Sequence, residues 1–314
     1  MGLMDFLVKR LGLGKHALEV LIIRAPMMYK VYKIPKRTTG FRVIAQPTKE
    51  IKQIQRATVE FLSEKLTVHP KAVAYKKHLD IKYNAKLHSG NPYLLKMDFE
   101  DFFNSITPEL FLLCLKRDGL IFKEIEIFFL LKILFWNPSK KKSGKLILSI
   151  GAPSSPFLSN YIMHKFDEVV NDFCEQDYIT YSRYADDLTF STSIKDALFK
   201  IPSKVKDVLK ENNYKNISIK NQKTIFASMA HNRHITGVTI NNSGRLSAGR
   251  DRKRMLSSLI HRATYSQLDD ESMLSLRGQL SQAFYIDPLF KLSMERKYGK
   301  IVISGILGKK DEKA

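Results

Sequence analysis

At 314 residues, 44% hydrophobic and 26% charged, the chain can bury a sizeable core and has the balance of an ordinary globular protein. Its 52 Lys and Arg against 31 Asp and Glu leave a formal net charge of +21, and the commonest polyanion able to relieve that self-repulsion is nucleic acid. A membrane partner is disfavoured: the most apolar run, Ile125 to Trp136, is short and broken by Glu126 and Lys132, and Phe6 stands where a myristoylation signal needs Ser or Thr.

The first residues, MGLMDFLVKRLGLG, carry Asp5 and no extended apolar core before a cleavage site, so the expected location is the cytoplasm. Cys114 and Cys174 lie inside apolar helical patterns and read as reduced core residues. RVIAQP (42–47) predicts a strand ended by Pro47. Ile51, Ile54, Val59, Leu62 and Leu66 recur at helical spacing over 51–66. YLLKMDF (93–99) predicts a second strand. Thr107-Pro108-Glu109 then opens a helix that Gly119 can close. The run PSKKKSGK (138–145) is either a solvated loop or a nucleic-acid contact. GAPSSP (151–156) predicts a tight turn capping a helix that buries Leu158, Ile162, Phe166, Val169 and Phe173. TYSRYADDLTFS (180–191) predicts a β-hairpin of two alternating segments around an acidic turn. From about residue 248 the pattern is helical and basic, ending in a polar tail. The fold class is α+β, a sheet covered by helices with an appended basic helical lobe.

Three carboxylates stand where folding alone would not put them. Asp98 ends an apolar strand, and Asp186 and Asp187 are adjacent in a hairpin, where they can converge only at a bend. Like charges that close raise each other's pKa unless a cation intervenes. A pair of Mg²⁺ ions, which prefer oxygen ligands and can clamp an in-line phosphoryl displacement, would resolve the conflict. Most DD pairs are surface turns, but YADD between two β-segments with Asp98 upstream is a more specific pattern.

These segments resemble the reverse transcriptases. YADD resembles their catalytic hairpin, MDFEDFFNSI their first catalytic motif, GAPSSP their second, NQKTIFAS their lysine-bearing motif and KRTTGFRVIAQPTKEIKQIQR the fingers of the bacterial branch. The resemblance implies a right-hand polymerase fold: residues 1–92 as fingers with an N-terminal helical region, 93–240 as palm with a finger-like insertion near 110–147, and 241–314 as a helical basic thumb. It implies metal binding by Asp98, Phe99, Asp186 and Asp187, with Lys223 protonating pyrophosphate. Arg42, Phe103, Gly151 and Ala152 fall on the nucleotide site, Phe103 as the aromatic that crowds a ribose 2′-hydroxyl. Phe103 as a core aromatic, and Arg42 and Lys223 as solvated charges, are the plainer readings.

Asn84-Ala85-Lys86-Leu87-His88 resembles the NAxxH signature of retron reverse transcriptases, and His234-Ile235-Thr236-Gly237 their VTG motif. The resemblance implies RNA binding by Asn84, His88, Thr236 and Gly237, and the basic lobe adds Arg250, Arg252, Lys253 and Arg254. Asn84 and His88 as a local hydrogen-bonded pair is the structural alternative. A retron enzyme would bind its own structured noncoding RNA, take dNTPs, copy part of that RNA into a branched RNA–DNA molecule (msDNA), and act with a separate effector protein in antiphage defence. Another bacterial reverse transcriptase, of the group II intron, abortive-infection or diversity-generating kind, or a catalytically silent RNA scaffold, are the competing readings. One departure is clear: Ile150 replaces the glutamine that commonly precedes Gly151, and an isoleucine can only pack.

Overall fold

Alternating aromatic and β-branched residues in YKVYKIP and FRVIAQP make an antiparallel pair, β1 (Tyr29–Pro35) and β2 (Phe41–Pro47), with Val31 opposite Ala45 and Ile34 opposite Arg42. The computed structural model describes residues 1–36 and 40–308. Arg37, Thr38 and Thr39 of the fingers-like segment, and the last six residues of the tail, lie outside the described residues.

The remaining strands are β3 (Tyr93–Asp98), β4 (Thr180–Tyr184), β5 (Asp187–Thr192), β6 (Ile225–Ala227), β7 (Arg233–Ile235), β8 (Val238–Ile240) and β9 (Leu246–Ser247). One sheet has the order β4-β5-β3-β6, with Leu95 of β3 antiparallel to Phe226 of β6, and a second is the meander β7-β8-β9. The expected 180–191 hairpin forms, but its alternation does not mark an inside and an outside. Leu188, Thr189, Phe190, Ser191 and Thr192 are all buried, so the polar face of β5 is an internal hydrogen-bonding face.

The chain divides into two compact units. The first comprises Met1–Lys77, Met97–Leu188 and Phe199–Thr224. Its helices Leu3–Leu11, Lys15–Arg24, Lys49–Ser63 and Glu124–Leu134 pack together. The predicted 51–66 helix forms because Ile51, Ile54, Thr58, Phe61 and Leu62 lie on one face, each large apolar side chain contributing about 1.5–3 kcal/mol on burial. Buried Gln55 joins three of these elements by donating to the Tyr29 hydroxyl at 2.9 Å and the Ile133 carbonyl at 2.8 Å. The helix opening at Pro108 ends at Arg117, with Gly119 beyond it in the left-handed region, but Thr107 makes no side-chain capping bond. The helix after GAPSSP is interrupted at Met163, giving Ser155–Ile162 and His164–Gln176. That break rotates the second piece, which buries Phe166, Val170 and Cys174 in place of the expected Val169 and Phe173. Both cysteines are buried and unpaired by disulfide.

The second unit comprises His78–Lys96, Thr189–Leu198 and the chain from Ile225 onward. Its helices Arg250–Thr264, Asp270–Ile286, Pro288–Tyr298 and Lys300–Ile306 share a core of Leu256, Ile260, Leu280, Phe284, Phe290 and Ile303. Asp269 caps the second of these by accepting from the Ser272 amide at 2.7 Å, and Asp287 caps the third ahead of Pro288. Among the described residues no helix is long and apolar enough to cross a membrane.

Candidate active site

Hydrophobic drive carries the apolar strand β3 into the sheet, and Asp98 is delivered at its end, only 7% exposed. Its main chain is held by the Lys220 amide, which donates to the Asp98 carbonyl at 2.8 Å, while Lys223 Nζ donates to Asp98 Oδ2 at 2.6 Å. One short turn therefore grips both the backbone and the carboxylate of Asp98. The neighbouring Phe99 amide donates to the Asp186 carbonyl at 3.0 Å, joining the end of β3 to the β4–β5 turn. Phe99 itself is buried, its ring packed against Phe102 and Phe166.

At that turn Ala185 adopts a left-handed backbone, φ 57°. This is the bend that adjacent aspartates need in order to converge. Burial raises the Asp186 carboxyl above the usual range, and the charge of Asp98 adds to it. Asp187 is pushed up to about 7 by burial and by the charges of Asp186 and Asp98, with a hydrogen bond to the Asp98 carboxyl. Burial opposes the charge on Lys223, but its bond to Asp98 and the charges of all three aspartates outweigh this and hold its pKa raised. No group of three or more His, Cys, Asp or Glu among the described residues is set out as a ready-made metal cage. The donor set is nonetheless that of a hard cation, since three carboxylates converge under mutual repulsion that a divalent ion would relieve.

Beside the turn, in the same unit, lies a cavity of about 360 Å³ lined by Lys52, Arg56, Tyr75, Phe103, Gly151 and Ala152 among others. Phe103 packs edge-on against Phe102, is half-buried and lines this cavity. Gly151 has φ 121°, and a Cβ there would meet the Ala45 carbonyl oxygen and the Ile44 side chain at 3.1 Å. Ile150 lines the cavity, and its carbonyl accepts from the Ala45 amide at 2.9 Å, docking the segment on β2. Arg42 is exposed on β2, and its charge is felt at Asp186. Sequence reasoning missed Lys52, Arg56 and Tyr75. The two cations lie one helical turn apart on the polar face of Lys49–Ser63, which was the available signal. Nothing in the sequence marks Tyr75, whose φ is 65°.

The two short motifs meet in the second unit. Thr236 and Gly237, at φ 45° and 91°, form the two-residue turn between β7 and β8 that explains the ITG tripeptide. Asn84, on the helix Ile81–Leu87, donates to the Thr236 hydroxyl at 3.5 Å. His88 and Asn91 both bond the Ser191 hydroxyl of β5 at 2.8 Å. Asn84 and His88 are fully buried, and their hydrogen bonds tie β5 and the β7–β8 turn to their own helix, as in the local hydrogen-bonded alternative. Of the four basic candidates on Arg250–Thr264, Arg250 and Arg254 are exposed. Arg252 bonds Gln282, and Lys253 forms a 2.5 Å ion pair with buried Asp287.

An acid-lined hairpin turn, an upstream strand-end aspartate and a lysine bonded to it come together on a mixed α+β fold. Residues 34–240 match the family described as reverse transcriptase (RNA-dependent DNA polymerase), and the chain belongs to that family. Within it, the chain is a retron-type RNA-directed DNA polymerase. It is 46% identical over 278 residues to the Retron Ec83 reverse transcriptase of Escherichia coli, covering 88% of this chain and 89% of that one. It is also 32% identical over 290 residues to the Retron Ec73 enzyme of the same organism, covering 88% and 89%. Among solved structures, apo telomerase from Candida tropicalis matches with a TM-score of 0.51 at 14% identity, over 90% of this chain and 62% of that one. That likeness speaks to the polymerase fold alone. The family generally works with divalent metal ions.

Proposed function

We propose that this polymerase copies part of its own structured noncoding RNA into DNA, starting from an internal 2′-hydroxyl and leaving a branched RNA–DNA molecule, with two Mg²⁺ ions held by Asp98, Asp186, Asp187 and the backbone of Phe99. The observation that carries the reading is the convergence of three carboxylates and the Lys223 ammonium in a chain so similar to a retron enzyme. Bound ions supply the positive charge that acidifies the attacking hydroxyl and neutralises the triphosphate. The chain's own groups do the rest. Lys223, an ammonium hydrogen-bonded to Asp98, is the proton donor for departing pyrophosphate. Arg42 offers its guanidinium to the incoming triphosphate. Gly151 and Ala152 line the cavity that takes the nucleotide, and Phe103 crowds its 2′-position. Thr236, Gly237, Arg250 and Arg254 belong to the RNA-binding surface.

The wider reading assigns fingers to 1–92, palm to 93–240 and thumb to 241–314, and places the enzyme in the cytoplasm beside a separate effector in antiphage defence. The test is direct. Asp98→Asn, Asp186→Asn and Asp187→Asn should each abolish Mg²⁺-dependent dNTP incorporation while RNA binding persists, because phosphate contacts come from Lys and Arg. Wild-type extension rates in all three would overturn the metal assignment. Sequencing the nucleic acid that copurifies should find RNA and DNA covalently joined, and unjoined strands would remove the branched product.

A further inference from the structure

Beside the acidic turn, in the first unit, lies a polar cluster with no exposure to solvent. Asp167 and Arg183 are both 0% exposed and paired twice over, Nη2 to Oδ2 at 2.6 Å and Nε to Oδ1 at 2.8 Å. The Tyr181 hydroxyl donates to the same Oδ1 at 2.8 Å. The third arm of the guanidinium, Nη1, donates to Asn160 Oδ1 at 3.1 Å and to the carbonyl of Ala185 at 3.0 Å. Ala185 is the left-handed residue of the turn, and the next carbonyl, that of Asp186, accepts from the Phe99 amide. The Ala185–Asp186 segment is thus held at two successive carbonyls, one by Arg183 and one by the end of β3. The main chain of Arg183 is fixed as well: its amide donates to the Lys71 carbonyl and its carbonyl accepts from the Val73 amide, both at 2.8 Å.

Stability alone does not call for this arrangement. A buried ion pair returns little beyond its desolvation cost, and apolar residues of equal volume often serve as well or better. What no apolar residue supplies is a rigid donor aimed at the Ala185 carbonyl. A backbone in the left-handed region is disfavoured for any residue with a Cβ and persists only where its surroundings hold it. We propose that Arg183, oriented by Asp167, is a positioning residue for polymerisation: by fixing the Ala185 carbonyl it sets the direction in which the Asp186 carboxylate leaves the turn. The proposal rests on the assignment of Asp186 to the active site.

Two variants test it. Asp167→Leu with Arg183→Met removes the pair without leaving a lone buried charge, and Arg183→Lys keeps the charge while losing the fork. In both, turnover should fall about 10- to 100-fold, the scale expected when a reacting group is misplaced by about 1 Å. The dNTP KM should stay within about twofold, since substrate binding groups are untouched. RNA binding of the double variant should stay near wild type, while its thermal midpoint falls, because the buried Tyr181 hydroxyl and the Asn160 side chain each lose a hydrogen bond. Amide exchange measured in EDTA supplies a readout free of activity: the turn at 184–187 should exchange faster, with helix His164–Gln176 unchanged. A merely structural role predicts faster exchange through that helix too, and turnover that falls only with the folded fraction. Wild-type turnover or unchanged turn exchange in a folded variant would overturn the proposal. If the double variant does not fold, the same readouts on Arg183→Lys decide. If the wild type does not polymerise, the functional reading fails, and turn exchange alone still decides whether Arg183 holds the turn.

Discussion

Asp187 bears most visibly the strain of assembling three acids at one turn. Its carboxyl is pushed up to about 7 in the folded chain against a reference value of 3.8, so between those values the native state binds the extra proton. Without divalent ions its contribution to stability is therefore full below about pH 4, is lost as pH rises to about 7, and stays lost above. Asp187→Asn should flatten that part of the thermal-midpoint profile in EDTA, and added Mg²⁺ should raise the wild-type midpoint more at pH 8 than at pH 5. Equal Mg²⁺ shifts at both pH values would count against Asp187 as a ligand. Phe103 poses a different question at the same scale. Its half-buried ring faces the cavity, so Phe103→Val should admit ribonucleotides by relieving a clash, lowering the dNTP/rNTP preference about tenfold to several hundredfold. An unchanged ratio in an active variant would make the ring a packing residue. The acids were legible in the sequence because charge is out of place at the end of an apolar strand. Tyr75 was not, because a left-handed backbone on a non-glycine residue is imposed by its neighbours and leaves no mark in composition.

Helix Ile81–Leu87 shows what periodicity conveys and what it hides. The four-residue spacing put Asn84 and His88 on one side of a helix, as found, but spacing does not say whether that side faces solvent or protein. The same limit applies to β5, where alternation alone suggests a solvent-facing polar side, yet Ser191 is bonded to both His88 and Asn91. The GAPSSP helix was legible in place but not in phase, because the interruption at Met163 carries no Gly or Pro to announce it. The burial changes what is expected of Asn84→Ala with His88→Ala. Truncating these buried side chains removes the His88 bond to Ser191 and the Asn84 bond to Thr236 from the interior, at about 1–3 kcal/mol for any group left unsatisfied. The double variant should lose synthesis on its cognate RNA and on a generic annealed primer–template together, with a lowered thermal midpoint. Loss confined to the cognate RNA at an unchanged midpoint would restore the direct RNA-reading role.

At the scale of the whole molecule, a charge of +21 favours a polyanionic partner but does not say where it would sit. The helix Arg250–Thr264 separates the two kinds of cation that composition cannot distinguish. Arg250 and Arg254 are exposed and one turn apart on the same side, free to meet successive phosphates. Lys253, between them in sequence, is committed to Asp287, the residue that also caps the helix beginning at Pro288. Every phosphate that the protein ceases to neutralise should lower the slope of log affinity against log salt by roughly 0.7 to 0.9. Arg250→Gln with Arg254→Gln should therefore weaken RNA binding, flatten the salt dependence by roughly 1 to 2, and leave the thermal midpoint unchanged. Lys253→Gln should do the reverse. It leaves the buried Asp287 carboxylate without its counter-charge, costing about 1–2 kcal/mol once discounted for the ammonium's partial exposure, while the salt slope stays as it was. Binding titrations across salt and one melting curve per variant separate the two roles. A reduced salt slope in Lys253→Gln would show that its charge reaches RNA despite the ion pair, and an unchanged slope in the double variant would move the RNA off this face of the helix.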